Sequence, residues 1–273
     1  MDTDRILALA LELSRQTRIP ADSAIFVPGK DLKRVLLGID IDSGEILAAK
    51  QLGFDGVIAH HPLGGSTILG LLEVYGRHAD ILVRHGVPRE AADAAIAAMR
   101  AEHGPRLHAT NYDRQPSVAR MLGMPLMSIH NPADELGRRI LDEHLQSRVK
   151  GTDTVQTAID ALNEMTEFAK AETDIVVRLG GEDARLGKYV VSHGAGTNGG
   201  YAVAAAAYRH GIDTVFYIHI DSGHLDRLRK DFPEKNLVVT GHIASDSVGL
   251  NPLIRRLRIE GLKVETIGGI VGG

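Results

Sequence analysis

Hydrophobic positions along the chain follow two spacings, which together predict alternating helices and strands. Short apolar runs at residues 35–39 and 57–59 are typical of buried strands. Residues 6–14 and 45–52 instead carry apolar side chains at helical spacing. The segment 35–61 is therefore predicted to form a β-α-β unit, and such a crossover makes its two strands parallel.

The same alternation continues to the end of the chain, so we expect the α/β class. Further helices are predicted at residues 71–85, 89–102, 116–122, 135–146, 154–168, 201–209 and 247–259. Further strands are predicted at residues 107–110, 125–130, 174–179, 188–192, 214–220, 237–240 and 264–267. A length of 273 residues allows one large domain or two ordinary ones.

Composition narrows the kinds of chemistry that the protein can perform. The chain has no cysteine, which excludes disulfides, thiolate metal sites and cysteine nucleophiles. A net charge of −4 and an aromatic content of 4% argue against binding of nucleic acid. The first residues are acidic where a signal peptide would be basic, and the first helix is too polar to span a membrane. We therefore expect a cytoplasmic protein.

The most informative stretch is the histidine pair His60 and His61, which follows the apolar strand at residues 57–59. Pro62 prevents the strand from continuing. Ligands of open α/β sheets bind at the carboxyl ends of the strands, where these imidazoles are expected. Neighbouring side chains on an extended chain point to opposite sides, so the pair is expected to serve two metal ions, one each.

Metal-competent side chains also follow other predicted elements. Asp113 comes after the strand predicted at residues 107–110, and His130 ends the strand predicted at residues 125–130. Asp134 could cap the helix after it. Nearer the carboxyl terminus, His242 and Asp246 would share a helix face if a helix began near His242, because they are four residues apart. The alternative is that Ser245 or Asp246 only caps that helix.

A glycine-rich turn after His193 offers a different kind of site. Gly194, Gly196 and Gly199 match G-x-G-x-x-G between a predicted strand and helix, the context of a dinucleotide fingerprint. A dinucleotide site also needs an acidic residue at the end of the next strand, and Asp221 comes rather late for that role. The turn could instead let a helix approach the sheet or bind an anion.

Three motifs, in order along the chain, resemble those of the Nif-three-like family, the relatives of the yeast Ngg-one-interacting factor. Some members are known as type-two homologues of GTP cyclohydrolase one. The motifs are the strand with His60-His61-Pro62, Thr110-Asn111-Tyr112-Asp113, like T-N-x-D, and Gly241-His242-Ile243-Ala244-Ser245-Asp246, like G-H-x-x-S-E. In two departures, Asp246 replaces the usual Glu, and Ala109 stands where the family commonly has His before T-N.

The resemblance implies a dinuclear metal site and a layered sheet-and-helix architecture, the Nif-three-like fold. The implied ligands are His60, His61, Asp113, His242 and Asp246. Ligands of these types suit zinc, iron, manganese, cobalt or nickel. Residues 1–130 together with 236–273 would form the metal-binding domain, with 131–235 as an inserted α/β domain. A ring-like homo-hexamer is also implied.

Two functions are compatible with such a site. The first is a metal-dependent hydrolase of a small polar substrate, with nucleotide-like molecules among the candidates, that uses a metal-bridging hydroxide. Its candidate catalytic residues are His130, His193 and His224, with His219 as a further candidate, although each could be purely structural. The alternative is a non-catalytic regulatory or metal-handling protein that binds other proteins.

Overall fold

The apolar runs pair into two separate β-sheets in the computed structural model, which describes every residue from Met1 to Gly273. The first sheet consists of β1 (Ala24–Val27), β2 (Arg34–Gly38), β3 (Gly56–Ala59), β4 (Leu126–Ser128) and β9 (Lys263–Ile267). The second consists of β5 (Val176–Leu179), β6 (Tyr189–Val191), β7 (Thr214–Tyr217) and β8 (Asn236–Val239).

Both sheets are mainly parallel, with one antiparallel strand at an edge. The first sheet has the order β1-β4-β3-β2-β9, and only β1 runs antiparallel to its neighbour. The second has the order β5-β8-β7-β6, and there only β5 is antiparallel. Ala59 pairs with Ser128, so β3 and β4 end side by side. The residues that follow these two strands therefore emerge at one edge of the first sheet.

Thirteen helices connect and cover these strands. They are α1 (Thr3–Ser14), α2 (Ser43–Gln51), α3 (Ser66–Leu69), α4 (Leu71–Val74), α5 (Gly76–Arg84), α6 (Arg89–His108), α7 (Arg114–Leu122), α8 (Asn131–Arg148), α9 (Val155–Asn163), α10 (Thr166–Ala169), α11 (Gly200–Arg209), α12 (Ser222–Asp231) and α13 (His242–Ile259). None of them is both long and apolar enough to cross a membrane.

Helices α8 and α13 lie side by side between the two sheets. One part of α13, including Leu250 and Leu257, packs into the core of the first sheet, and Ala244 and Val248 pack into the core of the second. A helix that is apolar on most of its surface is stable only when it is buried on most sides. The amino-terminal ends of α8 and α13 are thereby held where the two sheets meet.

The sequence predictions of fold class and of most strands are confirmed, but the strand predicted at residues 107–110 is wrong. Helix α6 continues through Pro105 to His108. The alanine-rich run favours helix strongly, and the amide of Ala109 still donates to the carbonyl of Pro105. Because this segment is helical, Asp113 does not follow a strand.

Other differences concern the ends and breaks of elements. The helices predicted at residues 71–85 and 154–168 are each divided in two, and β1, α3 and α12 were not predicted. Helix α13 begins at His242 rather than at residue 247. The first sheet draws its strands from residues 24–128 and 263–267, and the second from residues 176–239. The proposed division into domains at residues 130 and 236 stays a prediction.

Candidate metal centre

His60 and His61 extend from the carboxyl end of β3 into a cleft between the two sheets. Their backbone amides donate to the carbonyls of Gly38 and Ile39, which keeps the segment beside β2. The chain bends after Ala59, so the two imidazoles do not point to opposite sides as predicted for an extended chain. Their ring centroids are 5.0 Å apart, and the Nε2 atom of each lies 3.5 Å from Oδ2 of Asp246.

The amino-terminal turn of α13 supplies His242 and Asp246. Because α13 begins at His242, the two side chains share a helix face, and Nε2 of His242 lies 3.3 Å from Oδ2 of Asp246. One carboxylate oxygen thus faces the imidazoles of His60, His61 and His242. The Asp246 side chain is only 1% exposed, so its charge is stabilised by these neighbours rather than by water.

The amino-terminal turn of α8 supplies a second buried carboxylate, Asp134. Its Oδ1 atom lies 3.2 Å from Nε2 of His60 and 3.6 Å from Nε2 of His193. Its Oδ2 atom lies 3.5 Å from Nε2 of His130, which stands four residues earlier, at the N-cap of the same helix. Asp134 and Asp246 therefore flank His60 from two neighbouring helices.

The two helices carry these side chains on the same local pattern. In each helix a histidine is followed by an aspartate four residues later and by a glycine seven residues later: His130, Asp134 and Gly137 in α8, and His242, Asp246 and Gly249 in α13. The glycines lie at the contact between the helices, since a Cβ on Gly137 would stand 3.2 Å from the amide nitrogen of Gly249. This close approach brings the two aspartates together.

Three of the imidazoles are oriented by hydrogen bonds from their other ring nitrogen. Nδ1 of His60 lies 3.1 Å from the Ile129 carbonyl, and the corresponding atoms of His61 and His130 lie 2.7 Å from carboxylates of Asp40 and Asp22. All three partners are acceptors, so each Nδ1 donates a proton. The Nε2 atoms are left facing the cluster, which is how histidines are commonly oriented for a metal.

Several polar atoms in the cluster are buried without a hydrogen-bond partner. They are Nε2 of His60, Nε2 of His193, Oδ1 of Asp134 and both carboxylate oxygens of Asp246. Leaving such an atom unsatisfied costs about 1–3 kcal/mol, and more when it is charged. A divalent cation among these atoms would satisfy imidazole and carboxylate together. The donor set therefore fits a metal ion.

The charges in the cluster also favour a cation. Burial lowers the pKa of His60, but the carboxylates of Asp246 and Asp134 outweigh burial, so the pKa of His60 is raised. Burial raises the pKa of both carboxyls, yet the surrounding imidazoles outweigh it and the pKa of each is lowered. Two ionised carboxylates in a buried site require positive charge between them.

The groups that could hold a metal share residues with one another. They are His60, His61 and His130; His61, His242 and Asp246; and His60, Asp134 and Asp246. Residues from each group line a cavity of about 160 Å³, and His193 and His219 line it as well. Burial lowers the pKa of His242 to about 4 and also lowers the pKa of His219. Both imidazoles are therefore neutral near pH 7, as a metal ligand or a proton acceptor must be.

Of the five predicted metal ligands, the structure brings four together and leaves Asp113 outside. The carboxylate of Asp113 is 55% exposed and accepts hydrogen bonds of 2.8 and 2.6 Å from Arg120. It stands at the N-cap of α7, after the end of α6, rather than at the carboxyl end of a strand. The placement of Asp113 in the cluster is thus corrected.

Asp134 occupies the position expected of Asp113, although its sequence suggested only a helix cap. It lies inside α8, which begins at Asn131, and its carboxylate faces the imidazoles instead of the helix amides. The signal for it was present in the sequence. The family pattern places a histidine four residues before the aspartate of T-N-x-D, and His130 and Asp134 have that spacing at the end of a strand.

The three predicted catalytic histidines are in different places. His130 and His193 border the cluster through Asp134. His224 does not, because it lies on α12 and its Nε2 pairs at 2.7 Å with Glu102. The position of His224 therefore does not support its proposed catalytic role. His219 does border the cluster, since the ring centroids of His219 and His242 are 4.8 Å apart.

The glycine-rich turn carries His193 to the cluster. Gly194, Gly196 and Gly199 have φ values of 80°, 77° and 95°, which side chains rarely adopt. A Cβ on Gly194 would also stand 3.0 Å from a carboxylate oxygen of Glu135 on α8. The close approach of the turn to α8 thus explains its glycines without a dinucleotide.

Comparison with known proteins identifies the fold. No model of a known protein family matches the chain, and no curated protein matches it either. Among solved structures, a NIF3 superfamily protein from Sphaerobacter thermophilus is 49% identical, with 98% of both chains covered and a TM-score of 0.96. Reduced HcgD from Methanocaldococcus jannaschii (11% identity, 97% of both chains, TM-score 0.58) and TTHA1606 from Thermus thermophilus (15%, 100% of both, 0.55) share the fold.

Proposed function

The chain belongs to the NIF3 superfamily, and we propose that it binds two divalent metal ions and hydrolyses a small polar substrate. One observation carries this proposal: buried polar atoms without a hydrogen-bond partner converge from His60, His193, Asp134 and Asp246. These residues come from separate parts of the fold, namely the ends of β3 and β6 and the first turns of α8 and α13. The meeting of their unsatisfied atoms in one place supports a bound ligand.

Two ions are proposed because two of the possible ligand groups share the carboxylate of Asp246. One group consists of His61, His242 and Asp246, and the other of His60, Asp134 and Asp246. A carboxylate has two oxygens and can therefore serve two ions. The side chains are imidazoles and carboxylates, which suit zinc, iron, manganese, cobalt or nickel.

Bound divalent ions would supply a water of lowered pKa and neutralise negative charge on the substrate. The chain's own residues supply the proton transfers. His219 lines the cavity and is neutral near pH 7, so it is suited to accept a proton. Nδ1 of His130 donates a hydrogen bond to Asp22. Burial lowers the pKa of His130, but the carboxylates of Asp134 and Asp22 outweigh burial and raise it. His130 is therefore suited to donate a proton to a leaving group.

Metal analysis of the purified protein tests the metal part of the proposal. We expect about two ions per chain, by the argument from the two ligand groups. The Asp246→Asn variant removes the shared charged carboxylate with little change in shape, and is expected to lose most bound metal. Fewer than one ion per chain in the wild type, unchanged in the variant, would contradict the proposal.

Hydrolysis needs its own test, on a panel of phosphoesters, amides and purine derivatives. Turnover should require added metal and should fall in His219→Gln, a variant that leaves the proposed ligands in place. Turnover that is equal in wild type and Asp246→Asn would come from a contaminant. Full metal loading with no turnover on the panel would remove the hydrolase and leave the metal site.

A non-catalytic metal-handling or regulatory role is the second candidate, and the size of the cavity favours it. A volume of about 160 Å³ is below the roughly 300–1,000 Å³ of typical small-molecule sites. Affinity capture with and without a chelator distinguishes the two functions. A partner that is lost with the metal, in the absence of turnover, favours the regulatory role.

Assembly into a ring-like homo-hexamer remains part of this proposal, as the family resemblance implies. Light scattering after size-exclusion chromatography measures the mass directly. A particle of six 29.4-kDa chains is expected, whereas a monomer would contradict the hexamer without affecting the metal site.

A further inference from the structure

We propose a second ligand site, for a small molecule that carries two or more phosphate groups, in an arginine-lined cavity of about 600 Å³. The cavity lies between the segment that follows α1, helix α5 and helix α8. It shares none of its lining residues with the cavity at the metal centre. The inference therefore goes beyond the proposed hydrolase and does not depend on it.

The charge of the lining is opposite to that of the whole protein. Six of the fifteen lining residues are arginines and two are glutamates, in a chain whose net charge is −4. The arginines are Arg15, Arg18, Arg77, Arg84, Arg138 and Arg139. Like charges gathered around one cavity repel one another unless an anion lies between them. The lining thus favours an anionic ligand.

Half of these guanidinium groups already have a carboxylate partner. Glu135 forms two 2.9 Å hydrogen bonds with Arg138 and lies 3.6 Å from Arg77. Arg139 lies 3.9 Å from Glu143 and donates to the carbonyl of Leu13. These contacts fix one wall of the cavity. Arg138 and Glu135 are almost fully buried, so the wall is a built part of the fold rather than a set of surface side chains.

The other three, Arg15, Arg18 and Arg84, have no carboxylate within 4.0 Å. They are exposed at the cavity and carry three positive charges. Guanidinium groups bind phosphate oxygens through two parallel hydrogen bonds, which makes several of them around one space a typical phosphate site. Glu73 also lines the cavity without an ion-pair partner, so the unpaired side chains carry a net charge of +2. A ligand with two or more phosphate groups, such as pyrophosphate, has the negative charge to match them.

Size and polarity agree with such a ligand. A volume of about 600 Å³ lies in the range of small-molecule sites, and only three of the lining residues are hydrophobic. This composition is unsuited to an apolar ligand, which would leave the guanidinium groups desolvated and unpaired.

The cavity wall is also connected to the metal centre. Asn131, beside His130, donates at 2.7 Å to the carbonyl of Gly194 and accepts at 3.0 Å from Gln16 of the cavity. Arg77 donates at 3.2 Å to the same carbonyl. A ligand in the arginine-lined cavity would therefore contact the residues that position His193 and Asp134.

Titration calorimetry of the full-length protein with inorganic pyrophosphate tests the site. The double variant Arg18→Ala/Arg84→Ala removes two unpaired charges, and Arg106→Ala/Arg255→Ala makes the same charge change at exposed positions elsewhere. We expect binding of one pyrophosphate per chain that weakens about 100-fold in the first variant, since each charged hydrogen bond contributes roughly a factor of ten. The second variant should bind within about two-fold of the wild type.

Two controls make a failure of this site distinguishable from a failure of the metal centre. Pyrophosphate also binds metal ions, so the titration is repeated with Asp246→Asn. Binding that persists in Asp246→Asn and is lost in Arg18→Ala/Arg84→Ala supports the site. Binding that is lost only in Asp246→Asn, or none at all, overturns it. Arginine-dependent binding of a single-stranded oligonucleotide without binding of pyrophosphate would also overturn it, in favour of nucleic acid.

Discussion

Nε2 of His60 lies 3.2 Å from Oδ1 of Asp134, and neither atom has a hydrogen-bond partner although both are buried. The two residues come from different parts of the chain, at the end of β3 and in the first turn of α8. Their meeting assigns to Asp134 the position that the sequence suggested for Asp113.

The first prediction compares these two aspartates. Asp134→Asn should weaken metal binding by about 100-fold or more, because it removes the charge of a proposed direct ligand. Loss of a residue that only orients a ligand typically weakens metal binding by 10–100-fold. Asp113→Asn should leave metal binding unchanged, since that side chain pairs with Arg120 at the surface. Competition with a chromophoric chelator measures both affinities. An equal loss in the two variants would show that the sequence placement of Asp113 was right after all.

This pair of aspartates also shows what the sequence could and could not predict. His60, His61, His242 and Asp246 were identifiable because each sits in a short local motif that follows a strand. Asp134 was hidden because an aspartate in the first turn of a helix is typical of capping and of dipole stabilisation. Which role it plays depends on the approach of His60, a contact between residues 74 positions apart.

The same limit applies to the fold: elements with a strong local pattern were predictable, and contacts between distant parts of the chain were not. Buried parallel strands such as β2 and β3 have strong local patterns, and both were found. The extension of α6 beyond residue 102 was missed, because a proline near a helix end usually marks its boundary. The division of the strands between two sheets depends on long-range pairing such as that of β2 with β9, which local patterns do not encode.

The second prediction concerns the carboxylates behind the histidines. Asp22 is fully buried and accepts a hydrogen bond from Nδ1 of His130 at 2.7 Å. Asp40 is 87% exposed and accepts one from Nδ1 of His61 at the same distance. Asp22→Asn should weaken metal binding by about 10–100-fold through loss of orientation. Asp40→Asn should cost less, about three-fold, because water screens an exposed pair. Measurement of both affinities checks the order; a larger loss for Asp40 would contradict it.

The third prediction is a pH dependence that arises from His78. Its pKa is lowered to about 4 because it is fully buried, with His193 lowering it further and Asp134 and a backbone contact to Thr197 opposing this. The unfolded chain has a pKa near 6.5, so between about pH 6.5 and 4 the unfolded state binds the extra proton. Stability therefore falls as the pH is lowered, by about 2 kcal/mol between pH 7 and 5.

Denaturant unfolding at the two pH values, with a chelator present, measures this effect. The variant His78→Asn keeps a polar group near the hydroxyl of Ser192, which now lies 3.2 Å from Nδ1 of His78. It has no proton to gain, so its loss of stability between the two pH values should be smaller than that of the wild type by about 2 kcal/mol. An unchanged difference would mean that His78 does not titrate as proposed.

The last prediction tests the contact between α8 and α13 that brings the aspartates together. A Cβ on Gly249 would overlap the carbonyl oxygen of Ala133, and one on Gly137 would stand 3.2 Å from the nearest atom. Alanine normally stabilises a helix interior by up to about 1 kcal/mol relative to glycine. Gly249→Ala should instead destabilise the protein by about 1–3 kcal/mol, because the helices must move apart.

A third glycine gives the matched control, since a Cβ on Gly44 in α2 would meet nothing within 4 Å. Gly44→Ala is expected to leave the protein equally or slightly more stable, and Gly137→Ala should lie between the other two variants. Metal affinity should follow the same order, because Asp134 and Asp246 depend on the spacing of these helices. Thermal unfolding and metal titration of the three variants measure both. Stabilisation by Gly249→Ala would show that the helices can separate without strain, and would remove this explanation of how the carboxylates are positioned.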